Sequence, residues 1–230
     1  MNTNSNLRFE RIQRGITYFI LITLAIALVF ELIRARWELF FITALTILLC
    51  LLPYTFQKKY RIYLPSEVQL AIVAFIYAGS FLGEVQNFYV RFWWWDSLLH
   101  LFSGVVIGLI VFGVMYVLYN SKKIHTSLIF ISLIIFCVSM TAEVMWEVYE
   151  FGMDQYFGKN MQRAKDLCQT AGPCDSRLGL MDTMKDLLLG TIGSVFVSVL
   201  GYIYLKKGDQ FLLNGLVKKF TNKNPHLFYK

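Results

Sequence analysis

The stretch Ser127–Phe151, SLIFISLIIFCVSMTAEVMWEVYEF, decides what kind of chain this is. An α-helix rises about 1.5 Å per residue, so roughly 20 apolar residues cross the ~30 Å hydrocarbon core of a bilayer. This block is long enough to do so, and Glu143, Glu147 and Glu150 fall in its second half. Backbone polar groups find no water in a bilayer, so such a block must be helical.

The same reading extends outward over all 230 residues, of which 57% are hydrophobic and 16% charged. Soluble domains carry about 25% charged residues. Apolar blocks recur at residues 15–33, 37–56, 67–85, 96–119, 127–151 and 182–205. Ten-residue alternating segments, the mark of a membrane barrel, are missing. The expectation is an all-α, polytopic transmembrane bundle of six spans forming a single membrane domain over 1–230. The first block runs into Glu31, Arg34 and Arg36 rather than a small-residue cleavage site, which reads as an uncleaved anchor.

Orientation follows from the basic residues. With the N-terminus inside, fourteen Lys and Arg fall in inside segments and seven in outside ones, with Lys185 within the sixth span. The positive-inside rule therefore predicts both termini in the cytoplasm, an outer loop at 155–181 and a basic cytoplasmic tail at 206–230. The net charge of +7 is accounted for in this way. Without a basic soluble domain, nucleic acid is excluded as a partner and membrane lipid is expected. Trp93, Trp94 and Trp95 precede the fourth span, where an aromatic belt belongs. In the tail, Phe211, Leu212, Leu216, Val217 and Phe220 alternate with lysines, which suits an interfacial helix or a frayed end.

Cys50 and Cys137 lie in apolar spans as packing residues. Cys168 and Cys174 lie in the outer loop, separated by five residues that include Gly172 and Pro173, and form a candidate disulfide in an oxidising compartment.

The polar residues of the spans carry the chemistry. Glu143, Glu147, Glu150 and Asp154 follow at spacings of four, three and four. At 100° per residue they share an arc of roughly 60°. The fourth span opens with Asp96 and His100, with Ser103 on the same face; the sixth opens with Asp182 and Asp186, beside Lys185. Glu84 ends the third span and Glu31 lies near the end of the first. The alternating topology brings all these ends to the outer leaflet, in an acidic pocket between spans three to six.

Asp96 and Asp182 also suit N-capping. Glu143 and Glu147 lie too deep for that. Carboxylates at that depth need water, protons or a bound cation. Facing carboxylates with an Asp-x-x-x-His pair resemble divalent-ion sites in helical bundles. The candidate ligands are Asp96, His100, Glu143, Glu147, Glu150, Asp154, Asp182 and Asp186; oxygen-rich ligation with one His suits Mg, Mn, Fe or Zn. Glu147 and His100 are the candidate catalytic groups, and a lipid or cell-envelope head group is the candidate substrate or ligand. A serine scheme using Ser97 or Ser103 with His100 can be drawn, but its pattern is generic. The rival classes are a cation- or proton-coupled transporter and a non-catalytic membrane binding or immunity protein. Whether the chain is an enzyme stays open.

At these residues the chain resembles a bacterial family. Trp94-Trp95-Asp96-Ser97-Leu98-Leu99-His100, Trp146-Glu147-Val148-Tyr149-Glu150-Phe151 with Asp154, Phe157-Gly158-Lys159-Asn160-Met161-Gln162 and Asp182-Thr183-Met184-Lys185-Asp186-Leu187 are similar to YjdF-like (DUF2238) inner-membrane proteins. More distantly, the Asp-Leu-Leu-His helix with two acidic helices resembles VanZ-like proteins. The usual second motif there carries a Glu and a Gln, where this chain has Glu143 and Glu147. The resemblance implies a multi-pass protein of the bacterial cytoplasmic membrane and the position of a site, not a reaction.

Overall fold

The computed structural model describes residues 3–165, 177–208 and 213–228. Cys168 and Cys174 lie outside the described residues. Among the described residues there is no strand, and six helices are long and apolar enough to cross a membrane. Their surfaces show what solvent they face. Phe19 is 64% exposed and Met145 60%, while Glu143 is 2% exposed and Asp186 1%. Apolar outside with carboxylates inside is the arrangement a bilayer favours.

The chain packs as two compact units, Met1–Arg91 with Asn214–Lys230, and Phe92–Leu213. In the first, α1 (Thr3–Ile33) and α2 (Trp37–Tyr60) pack together, and both meet α3 (Ser66–Ile76). Ala35, at φ 52°, closes α1: the Arg36 N–H donates to the Glu31 carbonyl and the Ala35 N–H to that of Leu32. Those two bonds satisfy carbonyls that the end of the helix leaves free. The third span then continues as a π-helix, Tyr77–Val85, before the short α4 (Phe88–Arg91). Its last turn closes where the Gln86 N–H donates to the Phe81 carbonyl. Ile20, Leu24, Cys50, Val73 and Phe81 form the core of this unit.

The tail is folded into the same unit. Asn224 is fully buried, accepting from the Tyr63 N–H at 2.7 Å and donating to the Tyr63 carbonyl at 2.8 Å. Lys219 pairs with Glu67, and Lys223 with Glu10 at 2.8 Å. The helix α8 (Asn214–Lys223), with Leu216, Val217 and Phe220, is therefore packed rather than frayed, while Phe211 and Leu212 lie outside the described residues.

The second unit is a three-helix arrangement of α5 (Trp95–Asn120), α6 (Leu128–Phe157) and α7 (Leu178–Lys207), in which each helix meets the other two. Lipid tails are as apolar as leucine, so association inside a bilayer needs close backbone approach. Small residues provide it here. A Cβ on Gly104 would stand 2.4 Å from the Gly190 carbonyl oxygen, and one on Gly193 would stand 2.3 Å from that of Leu101. At Gly108 and Gly201 the neighbours are side chains of Val197 and Phe112.

Each helix has one buried stripe. On α6 it runs Ile131, Ile135, Ser139, Glu143, Glu147 and Glu150, from apolar through small to acidic. Ser127 caps the start of that helix by accepting from the Phe130 N–H, and Gly158 ends it at φ 65°.

Candidate metal centre

The acidic ends of these stripes converge within the second unit. α5 supplies Asp96 and His100 one turn apart, α6 supplies Glu143 and Glu147, and α7 supplies Asp186. His100 is at the centre: its Nδ1 is 3.3 Å from Glu143 Oε2, and its Nε2 is 3.8 Å from both Asp96 Oδ1 and Glu147 Oε1. One ligand atom from each of Asp96, His100 and Asp186 lies within 4.8 Å of the others, and all three residues are buried.

The hydrogen bonding is incomplete in one place. Asp96 Oδ2 and both oxygens of Glu147 and of Asp186 are buried without a well-formed hydrogen bond. Lys185 Nζ is 3.6 Å from Asp186 Oδ1, an ion-pair contact but not a hydrogen bond. Buried carboxylates without donors are costly unless a proton or cation compensates them. Asp96, Glu143, Glu147, Glu150, Asp182 and Asp186 are all buried; His100 and Lys185 are cations within ion-pair distance of them, and Arg163 also acts on Asp182. Ionised together, the carboxylates outnumber those cations.

Asp96, His100 and Asp186 form a group that could hold a metal ion. Ligand atoms bonded at about 2.1 Å lie roughly 3 to 4.2 Å apart around an octahedral ion. The ligand atoms of Asp96, His100 and Asp186 lie within 4.8 Å of one another. One imidazole with carboxylates suits Mg, Mn, Fe or Zn.

The remaining acidic residues have their own partners. Glu143 is committed to His100 and to the Ser103 hydroxyl. The Ser103 hydroxyl also lies 2.7 Å from the His100 carbonyl, so its one proton is placed for the carboxylate or the backbone, not the imidazole. Glu150 accepts from Trp146 Nε1 at 2.8 Å. Asp182 accepts from Lys185 at 2.7 Å. Asp154 holds the following loop by accepting the Met161 and Gln162 N–H groups at 2.6 and 3.0 Å.

Capping is not the role of Asp96 or Asp182. α5 begins at Trp95 and α7 at Leu178, so Asp96 is already in the first turn and Asp182 a turn inside. Glu31 and Glu84 belong to the first unit: Glu31 accepts from Thr43 Oγ1 at 2.8 Å, and Glu84 is exposed on the π-helix. Small residues make the convergence possible. Their signal was in the sequence, as Gly104-x-x-x-Gly108 on one helix and Gly190, Gly193 and Ser194 on the other.

The fold and the converging side chains together define a multi-pass helical membrane protein with a buried histidine–carboxylate cluster among three spans. The chain belongs to the family described as Predicted membrane protein (DUF2238), whose model matches residues 16–207. An uncharacterized protein of Thermotoga maritima is 24% identical over 195 residues, covering 82% of this chain and 88% of that protein. No solved structure matches the chain.

Proposed function

We propose that the second unit is a divalent-cation centre of the bacterial cytoplasmic membrane, with Asp96, His100 and Asp186 as ligands. The single observation that carries this reading is Asp186. It is 1% exposed, neither of its oxygens accepts a well-formed hydrogen bond, and one of its oxygens lies within 4.8 Å of ligand atoms of Asp96 and His100. A carboxylate kept in that state needs positive partners, and Lys185, which hydrogen-bonds Asp182, reaches Asp186 only at 3.6 Å. Glu143 orients the His100 ring through Nδ1, leaving Nε2 to face the cluster. A carboxylate that fixes an imidazole in this way is the usual companion of a His ligand.

With the N-terminus inside, as the twofold excess of basic residues on that side favours, the cluster lies in the outer half of the bilayer. A divalent ion held there supplies Lewis acidity and an activated water. Glu147, buried beside His100 and Thr183, is the proton acceptor. The substrate class is a lipid or cell-envelope head group that reaches the outer leaflet.

The test is elemental analysis of purified protein, paired with Asp186→Asn. Stoichiometric metal in the parent and its loss in the variant are expected. Absence of metal, with no thermal shift from added Mg, Mn, Fe or Zn, overturns the reading. The contacts of His100 with both Glu143 and Glu147 favour a second reading, a proton relay. Proton flux into proteoliposomes that survives metal chelation and stops in Glu147→Gln would select it.

A further inference from the structure

The first unit holds a cavity that the metal centre does not use. It has a volume of about 500 Å³ and lies among the end of α1, the start of α2, the π-helix and α4. Volumes of this size enclose an organic ligand rather than a bare ion. Ile26, Phe30, Phe81 and Val85 line it with apolar side chains, and Arg36, Arg91, Gln86 and Asn87 line it with polar ones.

The charges in that lining do not balance internally. Both arginines are exposed, and neither guanidinium pairs with a carboxylate among the described residues. The carboxylate in the lining, Glu31, is 4% exposed and occupied by Thr43. The π-helix shapes the wall. Its i→i+5 turns are wider than α-turns and re-aim the side chains that follow. Asn87, at φ 57°, then turns the chain into α4, which carries Arg91.

We infer that this cavity binds the phosphate-bearing head group of an anionic lipid, with Arg36 and Arg91 on the phosphate and the apolar walls on the chain beneath it. Guanidinium forks match phosphate oxygens bidentately, and Gln86 and Asn87 offer amide N–H groups in the same lining. The occupant is a lipid rather than free phosphate because half of the lining residues are apolar and the outer faces of α1 and α2 are apolar too. Ile26 is 66% exposed, Ile33 78% and Trp37 55%. The cavity belongs wholly to the first unit, so the inference stands apart from the metal reading.

The experiment measures retention of dioleoyl-phosphatidylglycerol against dioleoyl-phosphatidylcholine on the purified chain by native mass spectrometry, with inorganic phosphate as competitor. Preferential retention of phosphatidylglycerol is expected. The double variant Arg36→Gln, Arg91→Gln should weaken it about tenfold or more, since each lost contact is charge-assisted. Leu39→Trp, which fills the cavity without altering charge, should weaken it as well and keeps the test decisive if the double variant misfolds. Equal retention of the two lipids, displacement by millimolar phosphate, or an unchanged preference in both variants would overturn the inference.

Discussion

The side chain that Gly104 lacks would collide with the backbone of Gly190: a Cβ there would stand 2.4 Å from its carbonyl oxygen. That contact between α5 and α7 carries Asp186 to the side of His100. Here the geometry of the cluster is set by the absence of atoms a turn below it.

Gly104→Leu should therefore disrupt more than packing. Overpacking a tight core costs roughly 1 to 3 kcal/mol, and backbone cannot yield as a side-chain tip can. Thermal unfolding in detergent should show a clear drop in midpoint, with bound metal lost in parallel. A variant that unfolds earlier yet retains its metal would show that the helix contact and the cluster are not coupled.

Asp186→Asn and Asp182→Asn should separate ligation from stability. Removing the buried, donor-less charge of Asp186 should leave the metal-free protein as stable as its parent or more so. Asp182→Asn breaks a 2.7 Å ion pair and should cost about 1 kcal/mol, discounted because Lys185 is 44% exposed. Melting curves recorded after exhaustive chelation distinguish the two; the opposite order of midpoints counts against this assignment.

Asp154→Ala should spare metal content and loosen the loop. Two backbone N–H groups lose a charged acceptor, each such bond contributing about 1.5 to 3 kcal/mol when buried and less at this half-buried site. Amide exchange at Met161 and Gln162 is the readout, and it should accelerate while that of α6 at Ile131 and Ile135 does not.

Asn224→Ala should release the tail. Its amide holds both the N–H and the carbonyl of Tyr63 from a fully buried position, so truncation leaves buried groups unpaired. Limited proteolysis should then cut near α8 at protease levels that leave the parent intact. Unchanged resistance would mean that the Glu67–Lys219 and Glu10–Lys223 pairs suffice.

Much of this was legible in the sequence because length and periodicity act locally. Apolar blocks of spanning length gave six helices, and the four-three-four spacing from Glu143 to Asp154 gave one acidic face. The partners of those acids were not legible, because they come from other helices or from loop backbone. Asp154 shares the arc of Glu147 yet turns to the loop after Gly158. Asp96 and Asp182 looked like caps because the apolar runs begin at them, whereas the helices start earlier through Trp95 and Leu178. The π-helical course of Tyr77–Val85 left no mark in hydropathy, since both helix types bury their backbone equally.

That π-helix makes the chain tolerant of a lost residue in a way few spans are. Five-residue turns accommodate a residue that an ordinary helix would have no room for, so deleting one position between Tyr77 and Val85 should restore regular winding. A regular α-helix that gained the same residue would swing everything after it by about 100°, whereas the wide turns take it up locally. The deletion would therefore leave Gln86 and Asn87 near their present direction and re-aim Phe81 within the cavity wall. A single-codon deletion there should preserve insertion and expression yet reshape the apolar side of the cavity.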